Sequence, residues 1–364
     1  MPKPAKFLLV GSLEAYSGKS AIVLGMAHQL QQKGLDIAYG KPIGTCLGTT
    51  PGAEAEPVEE DVLFIAQTLN LPAQRILPTL LPLSEDRILQ RINGSDSTDY
   101  LQRLQHYHQL AEGDVVLLEG AGTLTEGTLF GLALLDMAEA LDAAVVLVTR
   151  YHSSLIVDSL LSAKQQLGDR LLGVLMNDVP LDQLDKLHQI QPFLEQQGIE
   201  ILGALPSNAL LRSVSVRELV HQLNAEVLCR PDRLDLMVES LKIGAMNVNS
   251  ALEYFRKAHN MAVVTGGDRT DIQLAALETS TQCLILTGHL PPSPTILSRA
   301  EDLEIPILSV DLDTLTTVEI IDRAFGQVRL HEPIKVQAVC QMMGKHANIE
   351  RLLMKLGLTP VATA

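Results

Sequence analysis

The sequence predicts an α/β protein, with a parallel-sheet domain built around a phosphate-binding loop and a smaller α/β domain after it. Three observations predict this. Short, continuous apolar runs alternate with helical patterns through the first half, as in strands buried on both faces of a parallel sheet. Gly18, Lys19 and Ser20 stand between the first such run and the first helical pattern, the context that a phosphate loop requires. Beyond residue 226 the alternation restarts on a smaller scale. The 364 residues also exceed what one core usually organises.

Each element has its own justification. "KFLLVG" reads as a buried strand. In "GKSAIVLGMAHQLQQKG" the apolar residues Ile22, Val23, Met26, Ala27 and Leu30 fall at helical spacing, and Gly34 is placed to end the helix. "DIAYGKPIG", "GDVVLLEGAG", "DAAVVLVTR" and "RLLGVLMND" follow as strands, with helices such as "SLIVDSLLSAKQQLG" between them. The stretch from Gly48 to Asp61 reads as a mobile acidic loop. A boundary is expected near residues 220 to 235. In the second domain "MAVVTGG", "QCLILTG" and "IPILSV" read as strands, and "DIQLAALE", "SPTILSRAEDLE" and "TTVEIIDRAFG" as helices. The expected domains are 1–225, 226–330 and a helical tail, 331–364. Aromatic residues are only 3% with no Trp, so Leu, Val, Ile and Ala must build the cores.

Composition excludes some partners. A formal charge of −15 repels nucleic-acid backbones and anionic lipid. Cys46, Cys229, Cys283 and Cys340 show no C-x-x-C spacing, and the histidines show no metal-ligand spacing. The N-terminus has too short an apolar run for a signal peptide, and no stretch approaches a membrane span. A cytoplasmic protein is expected.

The loop "GSLEAYSGKS" departs from the strict pattern G-x-x-x-x-G-K-[ST], because Leu13 stands where glycine is wanted and Gly11 comes two residues early. The chemistry-bearing half is intact. Backbone N–H groups along Glu14, Ser17, Gly18, Lys19, Ser20 and Ala21 can form a cradle, with the positive end of the helix beneath it. Lys19 can reach the β- and γ-phosphates and Ser20 can ligate Mg²⁺. Glu14 occupies a position where the septum-positioning branch of ATPases carries a signature lysine, which argues against that branch. Lys41, held out of helix by Pro42, falls at a strand end where ligands bind in open sheets. Glu119 ends an apolar strand, as the magnesium-side acid of such sites does. Asp61 either completes a carboxylate pair with Glu119 or caps a helix. Asn177 closes another strand with an amide able to read a nucleobase edge, or sits there for local turn reasons. In "VVTGGDRTDIQLAALE", Arg269 either faces an anion or belongs to a plain strand-to-helix turn.

On the motifs "GSLEAYSGKS", "GKPIG", "EGAG" and "LMND", the first domain resembles dethiobiotin synthetase and its relatives, the cobyrinic acid amidases. With "GGDRTDIQLAAL" added, the chain is similar along nearly its whole length to the N-terminal region of long bacterial phosphate acetyltransferases. There a dethiobiotin-synthetase-like, P-loop domain precedes a DRTGG domain. The resemblance implies phosphate or activated-carboxylate contacts by Lys19 and Lys41. It also implies Mg²⁺ coordination by Ser20, Asp61 and Glu119, base recognition by Asn177, and a homo-oligomer. "GGDRTD" departs from the second half of the DRTGG name motif. Because the chain stops at Ala364, acetyl-CoA:phosphate transfer is expected to be absent. Two functions follow as expectations. One is an ATP·Mg²⁺-binding regulatory protein that signals to a partner or to its own oligomer. The other is an ATP-dependent ligase that activates a carboxylate, with residues 48–61 and "LTEGTLFG" lining its substrate pocket. A scaffold with a relic loop is the third reading.

Overall fold

The computed structural model describes residues 5–44, 59–326, 330 and 332–359. Most of the Gly48–Asp61 segment, including its expected loop character, lies outside the described residues, as does Cys46. The chain divides into two units, Met1–Ser207 with Leu330–Ala364, and Asn208–Arg329.

The first unit holds a seven-stranded sheet made of Lys6–Ser12 (β1), Ile37–Gly40 (β2), Ile76–Leu77 (β3), Val115–Glu119 (β4), Ala144–Arg150 (β5), Leu171–Val179 (β6) and Ile201–Pro206 (β7). Their order is β3-β2-β4-β1-β5-β6-β7, and every neighbouring pair is parallel. All five residues of β4 and six of the seven in β1 are buried, which explains why these strands read as unbroken apolar runs. The register pairs Val10 with Glu119 and Ser12 with Val148. The carboxyl ends of β4, β1 and β5 therefore open side by side, where open α/β sheets bind ligands.

From that edge the chain enters helix α1, Lys19–Gln32, which buries Ile22, Val23, Met26, Ala27 and Leu30. Gly34 has φ +79 and follows the last turn, as expected of a left-handed helix end. Helix α2, Glu60–Thr68, follows the undescribed segment.

The second unit has five strands: Glu226–Cys229 (β8), Ser240–Ile243 (β9), Met261–Gly266 (β10), Thr281–Thr287 (β11) and Ile307–Val310 (β12). They are ordered β8-β12-β11-β10-β9, with β8 antiparallel to β12 and the others parallel. Helices Val216–Leu223 (α3) and Thr314–Gly326 (α7) share one core with Val264, Ile285 and Leu308. Helices Val248–Phe255 (α4), Thr270–Leu277 (α5) and Pro294–Asp302 (α6) share the other with Val263, Leu284 and Ile307.

Two expected boundaries move. Residues 208–225 belong to the second unit, because Val216, Leu219 and Leu223 of α3 are buried in its core beside Ile321. The tail is no separate segment. Its helices, Pro333–His346 (α8) and Ile349–Leu356 (α9), belong to the first unit. Any Cβ on Gly25 of α1 would run into Met343 of α8. Gln29 Nε2 donates to the Cys340 carbonyl at 3.1 Å, and Asn348 N donates to Leu202 O of β7 at 2.7 Å. Among the described residues, no helix is long and apolar enough to cross a membrane.

Candidate functional site

Residues 13–18 form the turn between β1 and α1, with Tyr16 at φ +56 and Gly18 at φ +87. Gly18 is required twice over: its φ is left-handed, and a Cβ there would meet the Asn177 amide nitrogen. The early glycine, Gly11, serves another purpose, since a side chain at that position would strike Leu134. Leu13 is half-buried and packs against the sheet core, so it anchors the loop's outer limb. The loop thus closes without the usual first glycine.

Helix α1 begins at this loop with no side-chain cap and no acid in its first turn, which leaves its positive end available to an anion. The Ser17 hydroxyl is buried with no hydrogen-bond partner, an orphan that a ligand oxygen would satisfy. Lys19 is buried, and its ammonium donates to Ser12 Oγ at 3.0 Å. Burial lowers its pKa, and the nearby Glu119 carboxylate opposes that shift. Ser12 Oγ in turn donates to Gly122 O at 2.7 Å.

Opposite the loop, Glu119 is buried and both of its oxygens are engaged. Ser20 Oγ donates to Oε1 at 2.8 Å, and the Tyr39 hydroxyl donates to Oε2 at 3.1 Å. Burial raises the Tyr39 pKa, and the Glu119 charge adds to the effect. Lys41 is also buried and binds two acids, Glu59 Oε1 at 2.5 Å and Asp61 Oδ2 at 2.6 Å. Burial alone would lower its pKa, but Glu119, Asp61 and Glu59 outweigh that and raise it. Glu126 completes the surroundings by accepting from Gly122 N.

The structure therefore gathers Ser17, Gly18, Lys19, Ser20, Lys41, Asp61 and Glu119 at one sheet edge. Asp61 lies in the first turn of α2, where the N-cap is Glu59, and its carboxylate accepts from Lys41. Asn177 Nδ2 donates to Ser17 O at 2.8 Å, so this side chain braces the loop. Glu14 points to the neighbouring strand end, accepting from Arg150 N at 3.0 Å and lying 3.1 Å from His152 Nε2. Ala21 contributes only backbone to the first turn of α1. Tyr39 and Glu59 were missed by sequence reasoning. Tyr39 looks like any β-strand aromatic, and Glu59 sits in an acidic run that gave no reason to expect full burial.

Magnesium fits this set. Ser20 and Glu119 already meet, and Asp61 stands beside Lys41. Around the two lysines lie four acids, Glu59, Asp61, Glu119 and Glu126, a surplus suited to a divalent ion. Among the described residues, no cluster of three His, Cys, Asp or Glu forms a metal cage, so a nucleotide would have to complete the coordination.

In the second unit, the glycine-rich turn is occupied by its own neighbours. Arg269 Nη2 donates to Met246 O at 2.9 Å and its Nε to Asp271 at 3.3 Å. Gln273 Nε2 donates to Gly266 O and Gly267 O at 2.9 and 3.0 Å. These bonds hold the turn together, while Gln273 Oε1 is buried without a hydrogen-bond partner.

A parallel sheet with strand, phosphate loop and helix in this order defines a P-loop NTPase-like α/β protein. Residues 6–215 match the AAA domain family, and the chain belongs to it. Residues 218–324 match the DRTGG domain. This pairing is that of the N-terminal and DRTGG regions of phosphate acetyltransferases. The phosphate acetyltransferase of Synechocystis sp. is 27% identical over 384 residues, covering 97% of this chain and 53% of that protein. The chain spans about half the length of the curated relatives it matches along its length. A cobyric acid synthase of Listeria innocua is 26% identical over 221 residues, covering 55% of this chain and 43% of that one. Among solved structures, the CBS and DRTGG domains of a Clostridium perfringens pyrophosphatase, complexed with diadenosine tetraphosphate, align at TM-score 0.29. The identity there is 19%, covering 44% of this chain and 82% of that one.

Proposed function

We propose that this chain is an ATP·Mg²⁺-binding regulatory protein whose nucleotide state is passed to a partner or to its own oligomer. The observation that carries the reading is the phosphate loop itself. An uncapped helix start, the buried Lys19 and an orphaned Ser17 hydroxyl converge where a triphosphate would lie. In this reading Lys19 contacts the terminal phosphates, while Ser20, Asp61 and Glu119 hold the metal, which neutralises phosphate charge. As Asp61 turns to the metal it releases Lys41, whose ammonium then reaches the phosphates.

The competing reading is a carboxylate-activating ligase, favoured by the buried Lys41 beside the phosphate loop. We further propose that the chain does not itself transfer acetyl groups, since the AAA and DRTGG regions account for most of its residues.

Isothermal titration with ATP and ADP, each with Mg²⁺, tests the reading; no heat from either ends it. ATP turnover that stays flat across a panel of small acids supports the regulatory reading, whereas stimulation by one of them supports the ligase. Acetyl phosphate formation from acetyl-CoA and phosphate should stay at background.

A further inference from the structure

Tyr39 is fully buried in β2, two residues before Lys41, and its hydroxyl donates to Glu119 Oε2 at 3.1 Å. The other oxygen of Glu119 accepts from Ser20 Oγ at 2.8 Å. These two donors differ in what they can do. Ser20 is partly exposed at the start of α1, and its hydroxyl is free to rotate toward a metal. Tyr39 has no such freedom: its ring is enclosed, and β2 is fixed against β4 through the pairing of Tyr39 with Leu117. Its hydroxyl has no exposure to water and Glu119 as its acceptor.

We infer that Tyr39 is a positioning residue for magnesium, clamping Oε2 of Glu119 so that Oε1 alone is presented to the metal or to its water. The inference rests on the proposed nucleotide site. Groups that orient a metal-binding carboxylate characteristically tune metal affinity 10- to 100-fold. A pure packing role would instead leave the metal dependence alone, because the ring of phenylalanine fills the same space.

The test separates metal affinity from nucleotide affinity. ATP binding to the full chain is titrated in EDTA and at graded Mg²⁺, for wild type and Tyr39→Phe. The expected result is a magnesium midpoint raised roughly tenfold, with ATP affinity in EDTA within about twofold of wild type. The double change Tyr39→Phe with Glu119→Gln should match Glu119→Gln alone, because the hydroxyl acts through that carboxylate. An unchanged midpoint in Tyr39→Phe overturns this inference and leaves the nucleotide site standing. A wild type that binds no ATP at any Mg²⁺ level overturns both. Should Tyr39→Phe not fold, wild-type chain labelled at tyrosine ¹³Cζ gives the answer. Of the six tyrosine signals, the one assigned to Tyr39, distinguished from the loop residue Tyr16 by a Tyr16→Phe variant, should move with ATP and Mg²⁺ but not with ATP in EDTA; if it does not, the inference fails.

Discussion

Replacing Lys19 by alanine removes the one ammonium group that the loop carries to the sheet edge. ATP affinity should fall on the order of 100-fold, about 2.7 kcal/mol, as read by titration calorimetry, with the melting temperature little changed. Lys19 also gives a pH signature. Its pKa lies below the ordinary lysine value of 10.5 because burial disfavours the charged form. A bound triphosphate favours that form, so binding should take up protons at alkaline pH and weaken as pH rises through the lowered value. Calorimetry in buffers of different ionisation heat measures the uptake; proton release would contradict it. Gly18→Ala forces a side chain into a left-handed conformation that costs about 1–2 kcal/mol, and it pushes against Asn177. Both loop closure and ATP affinity should suffer.

At the scale of elements, the contact between α1 and α8 is the informative one. Gly25 of α1 lies against Met343 and Val339 of α8, and Gly344 of α8 lies against Gln29 of α1. Helix axes approach this closely only where side chains are missing. Gly25→Val should therefore overpack the seam and cost about 1–3 kcal/mol, read as a lower urea midpoint at unchanged slope. The helix that carries the phosphate loop is thus packed directly on the segment that follows the second unit in sequence. Its N-terminal end faces the phosphate site, while its flank faces α8. In the proposed function, α1 is the element through which nucleotide state would be felt by the tail.

For the whole molecule, the first unit is discontinuous, so residues 1–207 alone lack α8 and α9, which cover α1 and the edge strand β7. Expressed alone, 1–207 should be unfolded or aggregated. Joined to 330–364 by a flexible linker, it should fold and bind ATP, as judged by circular dichroism and calorimetry. The α/β class, the strand-and-helix alternation and the Gly18-Lys19-Ser20 loop were legible in the sequence, because buried parallel strands and a phosphate turn leave local patterns. Glu119 and Lys41 were legible for the same reason, as polar groups ending apolar runs. Local pattern also misled: α3 looked like the end of the first domain, and the tail looked independent, because amphipathic helices do not say which core they cover. Local patterning was enough for the elements and the chemistry of the loop. It took the folded chain to bring Tyr39 to Glu119, Glu59 to Lys41, Asn177 to the loop and the tail onto α1. Those pairings join residues 18 to 318 positions apart, and distant contacts follow from the packing of whole elements, which no short window of sequence contains.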